Sequence, residues 1–176
     1  MNPSLVAIDL AKHCYQVCVL DAEGKVKSNR RLSLAKFNEF IHKVQATSFA
    51  MEACASSNYW GRRLQALGHR VHLIPAQHVK AFCRVHKSDG HDALAIAEAA
   101  QRPNIHFVPV KTLEQQDLKL LGRIRERLIQ QRTATINQCR GLAREYGVHF
   151  ALSRRALMRE LPEALEPADG RLSCVV

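Results

Sequence analysis

Leu5-Val6-Ala7-Ile8-Asp9-Leu10-Ala11 is a nearly continuous apolar run broken by one carboxylate. Apolar side chains at both odd and even positions mark a strand covered on both faces. The next segment, residues 13–20, divides its side chains: Cys14, Gln16, Cys18 and Leu20 share one face, and Tyr15, Val17 and Val19 the other. Asp21-Ala22-Glu23-Gly24 is a turn signal, so residues 25–33 are expected to return as a hairpin partner. Leu34, Phe37, Phe40, Ile41 and Val44 then recur at helical spacing, with Ser33 as the N-cap.

Further along, strand and helix signals alternate. Residues 48–53 read as a short strand, and 58–67 as an amphipathic helix ended by Gly68, a natural C′ residue. Residues 70–74 form another strand, stopped by Pro75. A short helix over 77–84 and an alanine-rich helix over 92–101 follow. A hairpin meander followed by alternating strand and helix predicts an α/β fold, a mixed sheet flanked by helices.

After Pro103 and the extended residues 107–110 the chain changes character. Residues 113–146 hold no proline and two glycines, which predicts one long helix or two near-continuous ones. Leu121, Ile124, Leu128, Thr135, Cys139, Leu142 and Tyr146 fall near a three-to-four spacing, broken by Gln131 and Arg132. Lys119, Arg123, Arg125, Arg127, Arg132, Arg140 and Arg144 stud the rest of the surface. Such a helical arm buries its stripe against its own domain or against a partner helix. The expected organisation is an α/β domain over residues 1–110, a basic coiled-coil-like arm over 111–150, and over 151–176 a short helix (residues 153–161) followed by an irregular tail that starts at Pro162.

The whole chain has 176 residues, 47% hydrophobic and 24% charged, which excludes wholesale disorder. Eight glycines and six prolines exclude a collagen-like chain. Apolar runs are too short to span a membrane, and residues 1–12 lack the basic start of a secretory signal, so the cytoplasm is the expected compartment. Six cysteines sit mostly inside apolar patterns and read as free thiols rather than a disulfide framework. Cys83, His86 and His91 could be imagined around zinc, but their spacings match no familiar site. The informative number is the net charge of +10, from 26 Lys+Arg against 16 Asp+Glu. The excess is spread along the chain, as expected of basic faces that meet nucleic acid; a merely solvated basic surface is the plainer alternative.

Four carboxylates are notable for their positions. Asp9 interrupts an apolar strand, Glu52 lies near the end of another, and Asp89 and Asp92 stand three apart at a helix start, on one face. A buried carboxylate without compensation costs several kcal/mol or takes up a proton. If the four converged, each pair near 4 Å would repel by about 4 kcal/mol at an effective dielectric of 20. Such a cluster is stable at neutral pH with divalent cations, and Mg²⁺ (or Mn²⁺) is the hard ion that suits carboxylate and phosphate oxygens. Two such ions can hold a phosphodiester and activate the attacking oxygen. The same residues also admit a plainer reading: a strand-end turn at Asp9, a capping acid at Glu52, and N-caps at Asp89 or Asp92.

Several segments in order carry a resemblance. They are Ala7-Ile8-Asp9-Leu10-Ala11-Lys12, Met51-Glu52-Ala53-Cys54 with Tyr59-Trp60, and Lys87-Ser88-Asp89-Gly90-His91-Asp92-Ala93. Residues 67–76, Arg102-Pro103, residues 107–111 and Gln131-Arg132-Thr133 with Ile136-Asn137-Gln138 complete the series. Together they resemble the DEDD-type insertion-sequence transposases, which include the pilin-gene invertase and transposases guided by a bridge RNA. The likeness extends over about residues 5 to 148.

It implies an RNase H-like domain similar to the RuvC junction resolvase, with Asp9, Glu52, Asp89 and Asp92 as metal-binding catalytic carboxylates. The implied partner is DNA, the ends and target of a mobile element, with a structured guide RNA as a further partner. The helical arm would take part in dimerisation and nucleic-acid contact. The family also uses a second domain that supplies a nucleophilic serine. Residues 171–176 do not resemble it, Ser173 is not promoted to that role, and a truncated transposase is the expectation. Two alternatives are a non-catalytic nucleic-acid-binding fragment that modulates a full-length transposase, and a stand-alone RuvC-like junction nuclease.

Overall fold

The computed structural model describes residues 3–12, 14–83 and 89–165, with only the backbone of Asp89. The chain divides into two compact units, residues 1–113 and 114–176. In the first, five strands form one sheet: β1 (Leu5–Leu10), β2 (Tyr15–Leu20), β3 (Val26–Leu32), β4 (Ser48–Glu52) and β5 (Arg70–Ile74). Their order is β3-β2-β1-β4-β5. β1 pairs antiparallel with β2 and parallel with β4, so the strand apolar at both parities lies at the centre. The meander and the β4–β5 parallel pair make the mixed sheet that the sequence predicts.

The helices follow from side-chain periodicity. α1 (Leu34–Lys43) starts at Ser33, whose hydroxyl accepts from the Lys36 amide at 3.4 Å. α2 (Ser57–Ala66) closes through Gly68, at φ +82°, with the His69 amide donating to the Leu64 carbonyl at 3.0 Å. Both helices cover one sheet face. There Phe37, Ile41, Trp60 and Leu64 pack on Val6, Ile8, Val17, Phe49, Met51 and Leu73. Phe37 and Trp60 meet edge to face, with ring centroids 4.9 Å apart.

The opposite face is covered by α3 (Ala76–Lys80) and α4 (Asp89–Ala100). Ala7, Cys18, Leu20, Ala50 and Ile74 of the sheet meet Val79, Ala93, Ile96 and Ala97. Small side chains on both partners let the helix come close to the sheet. Burial pushes the Cys18 thiol up to about 11, so it stays protonated and packs as a hydrophobe.

Two expectations are corrected. The alanine-rich helix begins at Asp89, three residues before the expected start, with Gly90 inside its first turn. A glycine there costs less than in a helix interior, because the first-turn amides have no intrahelical partner to lose. The last helix, α6 (Arg154–Leu165), also continues past the expected end at residue 161, with Pro162 inside it. The long helical segment is one continuous helix, α5 (Leu113–Glu145). It ends at Gly147, at φ +72°, with the Val148 amide donating to the Ala143 carbonyl at 2.9 Å. Arg140 then donates to the carbonyls of Ala151 at 2.8 Å and Ser153 at 3.1 Å, tying down the turn before α6. Among the described residues, no helix is long and apolar enough to cross a membrane.

Candidate metal centre

Strand register puts Asp9 and Glu52 side by side. Ile8 pairs with Met51 across the parallel β1–β4 ladder, so the next residues along the two strands are Asp9 and Glu52. Ile8 and Met51 both belong to the α1–α2 face, and alternation turns the next residue of each strand to the α4 face. Adjacent strands lie about 4.8 Å apart, so both carboxylates spring from neighbouring positions at one level of one face. Both residues are partly buried.

The same level continues across the sheet. Asp9 pairs with Gln16 of β2, and Gln16 with Arg31 of β3. Gln16 is only 8% exposed, a polar residue on the face of Cys18 and Leu20. Its Nε2 donates to Asn29 Oδ1 at 2.7 Å, and Asn29 Nδ2 donates to the Gly90 carbonyl at 2.9 Å. The first turn of α4 therefore lies over the Gln16–Asp9 level.

Gly90 is flanked by Asp89 and Asp92. Asp92 is partly buried, and its Oδ1 lies 4.0 Å from the Cys83 thiol, which also reaches the Val79 carbonyl at 3.6 Å. The backbone of Asp89 opens the helix, and its side chain lies outside the described residues. Three of the sequence-derived positions are thus brought to one end of one sheet face. Among the described residues, however, no group of three His, Cys, Asp or Glu side chains stands ready to hold a metal ion. The imagined zinc set needs His86, which lies outside the described residues, as do Lys87 and Ser88 of the Lys87–Ala93 motif and Ser173. The donor chemistry at this end is carboxylate oxygen, which suits Mg²⁺ or Mn²⁺ and not a soft ion.

Sequence reasoning missed Gln16 and Asn29 as parts of this end. A polar residue alternating with Cys18 and Leu20 on a core-facing strand was a usable signal for Gln16. Asn29 gave none, because its partner depends on a register shift between Val19 and Leu20. α2 leaves the sheet just after Glu52, and its Asn58 and Arg62 bind Lys111, at 2.9 Å to the amide and 2.8 Å to the carbonyl. These bonds fix the segment that precedes α5.

A mixed sheet in the order β3-β2-β1-β4-β5, with helices on both faces and acids at the ends of two adjacent central strands, defines an RNase H-like α/β protein. The sequence profile of the DEDD-type IS110 family, described as Transposase, matches residues 6–148. The chain belongs to that transposase family. It is 43% identical over 171 residues to the "Probable family 20 transposase" of Pseudomonas aeruginosa, covering 96% of this chain and 51% of that protein. It is 41% identical over 158 residues to the transposase for insertion sequence element IS1111A of Coxiella burnetii, covering 90% of this chain and 43% of that protein. The transposase for insertion sequence element IS1328 of Yersinia enterocolitica is 34% identical over 147 residues, covering 84% and 44%. The chain spans about half the length of the curated relatives it matches, or less.

Proposed function

We propose that residues 1–113 form the metal-dependent phosphodiester-cutting domain of an IS110-type transposase acting in the cytoplasm on the DNA ends and target of a mobile element. Asp9, Glu52, Asp89 and Asp92 hold Mg²⁺ or Mn²⁺. The observation that carries this reading is the in-register adjacency of Asp9 and Glu52 beneath the helix turn that bears Asp92. Two carboxylates at neighbouring positions of one sheet face offer hard oxygen donors, the kind that a divalent cation such as Mg²⁺ or Mn²⁺ takes. When bound, two such ions polarise a phosphoryl oxygen and lower the pKa of an attacking hydroxyl or water.

The chain's own residues then have separate tasks. Asp9 and Glu52 supply oxygens from the rigid sheet, and Asp89 and Asp92 supply them from the helix above. The basic side chains that give the chain its +10 charge draw in the phosphate backbone. The arm on α5 contributes Lys119, Arg123, Arg125, Arg127 and Arg132 to nucleic acid, DNA or a structured guide RNA, while its leucines pair with a second copy.

Electron paramagnetic resonance of free Mn²⁺ during titration with the protein, together with cleavage of branched DNA in Mg²⁺ or Mn²⁺, tests this reading. Saturable Mn²⁺ uptake and cleavage that both disappear in Asp9→Asn are expected. Uptake without cleavage would favour a nucleic-acid-binding role for this chain alone. Absence of uptake would sink the metal reading. Nucleic-acid affinity is expected to fall with salt by roughly 0.9 log units per tenfold salt for each duplex phosphate contacted.

A further inference from the structure

The first turn of α4 is fastened to the sheet by two amide side chains in series, and both ends of that chain lie beside residues of the candidate centre. One end is Gln16, directly opposite Asp9 in the β1–β2 register. The other is the carbonyl of Gly90, between Asp89 and Asp92. Asn29 joins them, 13 residues from Gln16 and 61 from Gly90, with bonds of 2.7 and 2.9 Å.

The direction of these bonds is fixed by chemistry. A main-chain carbonyl only accepts, so Asn29 must turn its amino group to Gly90 and its oxygen to Gln16. Gln16 must in turn present its amino group. A single arrangement satisfies the chain, and reversing either amide breaks it.

The bond to Gly90 is not needed for helix formation. A carbonyl in a helix's first turn already accepts the amide four residues on, so Asn29 uses its second lone pair. What the extra bond adds is position. From Ala93 onward α4 is held by packing, with Ala93, Ala95, Ile96, Ala97 and Ala99 buried. The residues before Ala93 are glycine, histidine and aspartates, which have no apolar side chain to fix them by packing.

We propose that Gln16 and Asn29 are positioning residues that set the height and rotation of the first turn of α4, and with it the placement of Asp92 and Asp89 relative to Asp9 and Glu52. The inference rests on the reading of these carboxylates as cation ligands. Partners behind metal ligands typically change metal affinity by about 10- to 100-fold when removed.

The test follows Mn²⁺ uptake by electron paramagnetic resonance in the wild type, Asn29→Leu, Asn29→Gln and Gln16→Leu. Amide hydrogen exchange at residues 91–94 is measured in the same samples. Asn29→Leu keeps the approximate shape without hydrogen bonds and is expected to weaken Mn²⁺ binding by about tenfold or more. Asn29→Gln, which retains an amide, is expected to recover most of that loss. Faster exchange at 91–94 is expected in both leucine variants. Wild-type Mn²⁺ affinity in folded Asn29→Leu would overturn the proposal, even with faster exchange. If Asn29→Leu fails to fold, Gln16→Leu carries the same comparison. A wild type that takes up no Mn²⁺ would defeat the carboxylate reading instead, and exchange at 91–94 alone would then decide whether the bridge pins α4.

Discussion

α4 and α5 are both helices, yet they treat their apolar residues in opposite ways. In α4, Ala93, Ala95, Ile96, Ala97 and Ala99 are buried against a sheet face that itself offers Ala7 and Ala50. In α5, 33 residues long, Ala143 is the buried residue, while Leu118 is 70% and Leu121 63% exposed. Alanine buries little area but lets backbones approach, so α4 serves as a closely fitted cover that carries polar groups to a set place. Leucine brings far more area, at roughly 25 cal/mol per Å², but only if something covers it. The comparison separates a part of the molecule whose function is set by internal packing from a part whose apolar stripe is suited to an external partner.

The sharpest way to test the contrast is to remove one large side chain from each region. Phe37→Ala takes a fully buried ring from its contacts with Tyr15 and Trp60 and is expected to cost about 3–5 kcal/mol, read by chemical denaturation. Leu121→Ala on α5 is expected to stay within about 0.5 kcal/mol for the monomeric chain. A cost for Leu121→Ala equal to that of Phe37→Ala would erase the distinction.

A subtler effect is expected at Gly61, where α2 meets the segment before α5. A Cβ there would lie 2.8 Å from a Val110 methyl carbon, so Gly61→Ala overpacks the contact. We expect a loss of about 1–3 kcal/mol in spite of alanine's better helix propensity. A gain in thermal stability would show that residues 105–111 are not held against α2.

On the arm, Leu121→Asp is expected to convert a dimer to a monomer in sedimentation at micromolar concentration, leaving the melting of residues 1–113 unchanged. A wild type that is monomeric across that range would remove the second copy as the arm's partner.

The smallest expected effect is a pH dependence from His72, on β5. Burial first, and the charge of Arg70 second, lower its pKa from the ordinary 6.5. The unfolded chain then binds a proton that the folded protein resists. Stability contributed by neutral His72 is present above 6.5 and lost as pH falls through the window below it. His72→Gln is expected to flatten the pH dependence of the melting temperature there, and an unaltered slope would rule the residue out as its source.

The sequence disclosed the sheet, its central strand and its flanking helices because apolar patterning and turn chemistry carry that information locally. The run around Asp9 could be read as doubly covered before any partner was known, and Ser33 and Gly68 marked helix ends by their own chemistry. The α4 start differs from the expected one because Gly90 and His91 look like a loop, whereas the bond from Asn29, 61 residues away, ties that turn to the sheet. Pro162 was read as a helix end, yet α6 carries it near its C-terminus. At the candidate centre the acids were legible as residues out of place among apolar neighbours. Their adjacency was not, since it depends on the parallel register of β1 and β4. Gln16 shows in the sequence only as a polar residue on a core-facing strand and Asn29 not at all, because their bonds to each other and to Gly90 depend on tertiary register.

Anomalous diffraction from crystals soaked in Mn²⁺ addresses the metal centre most directly. A Mn²⁺ peak is expected within bonding distance of carboxylate oxygens from both Asp9 and Glu52, roofed by the first turn of α4 and reached by Asp89 or Asp92. A crystal saturated with Mn²⁺ that shows no peak there, or peaks only on scattered surface acids, would contradict it.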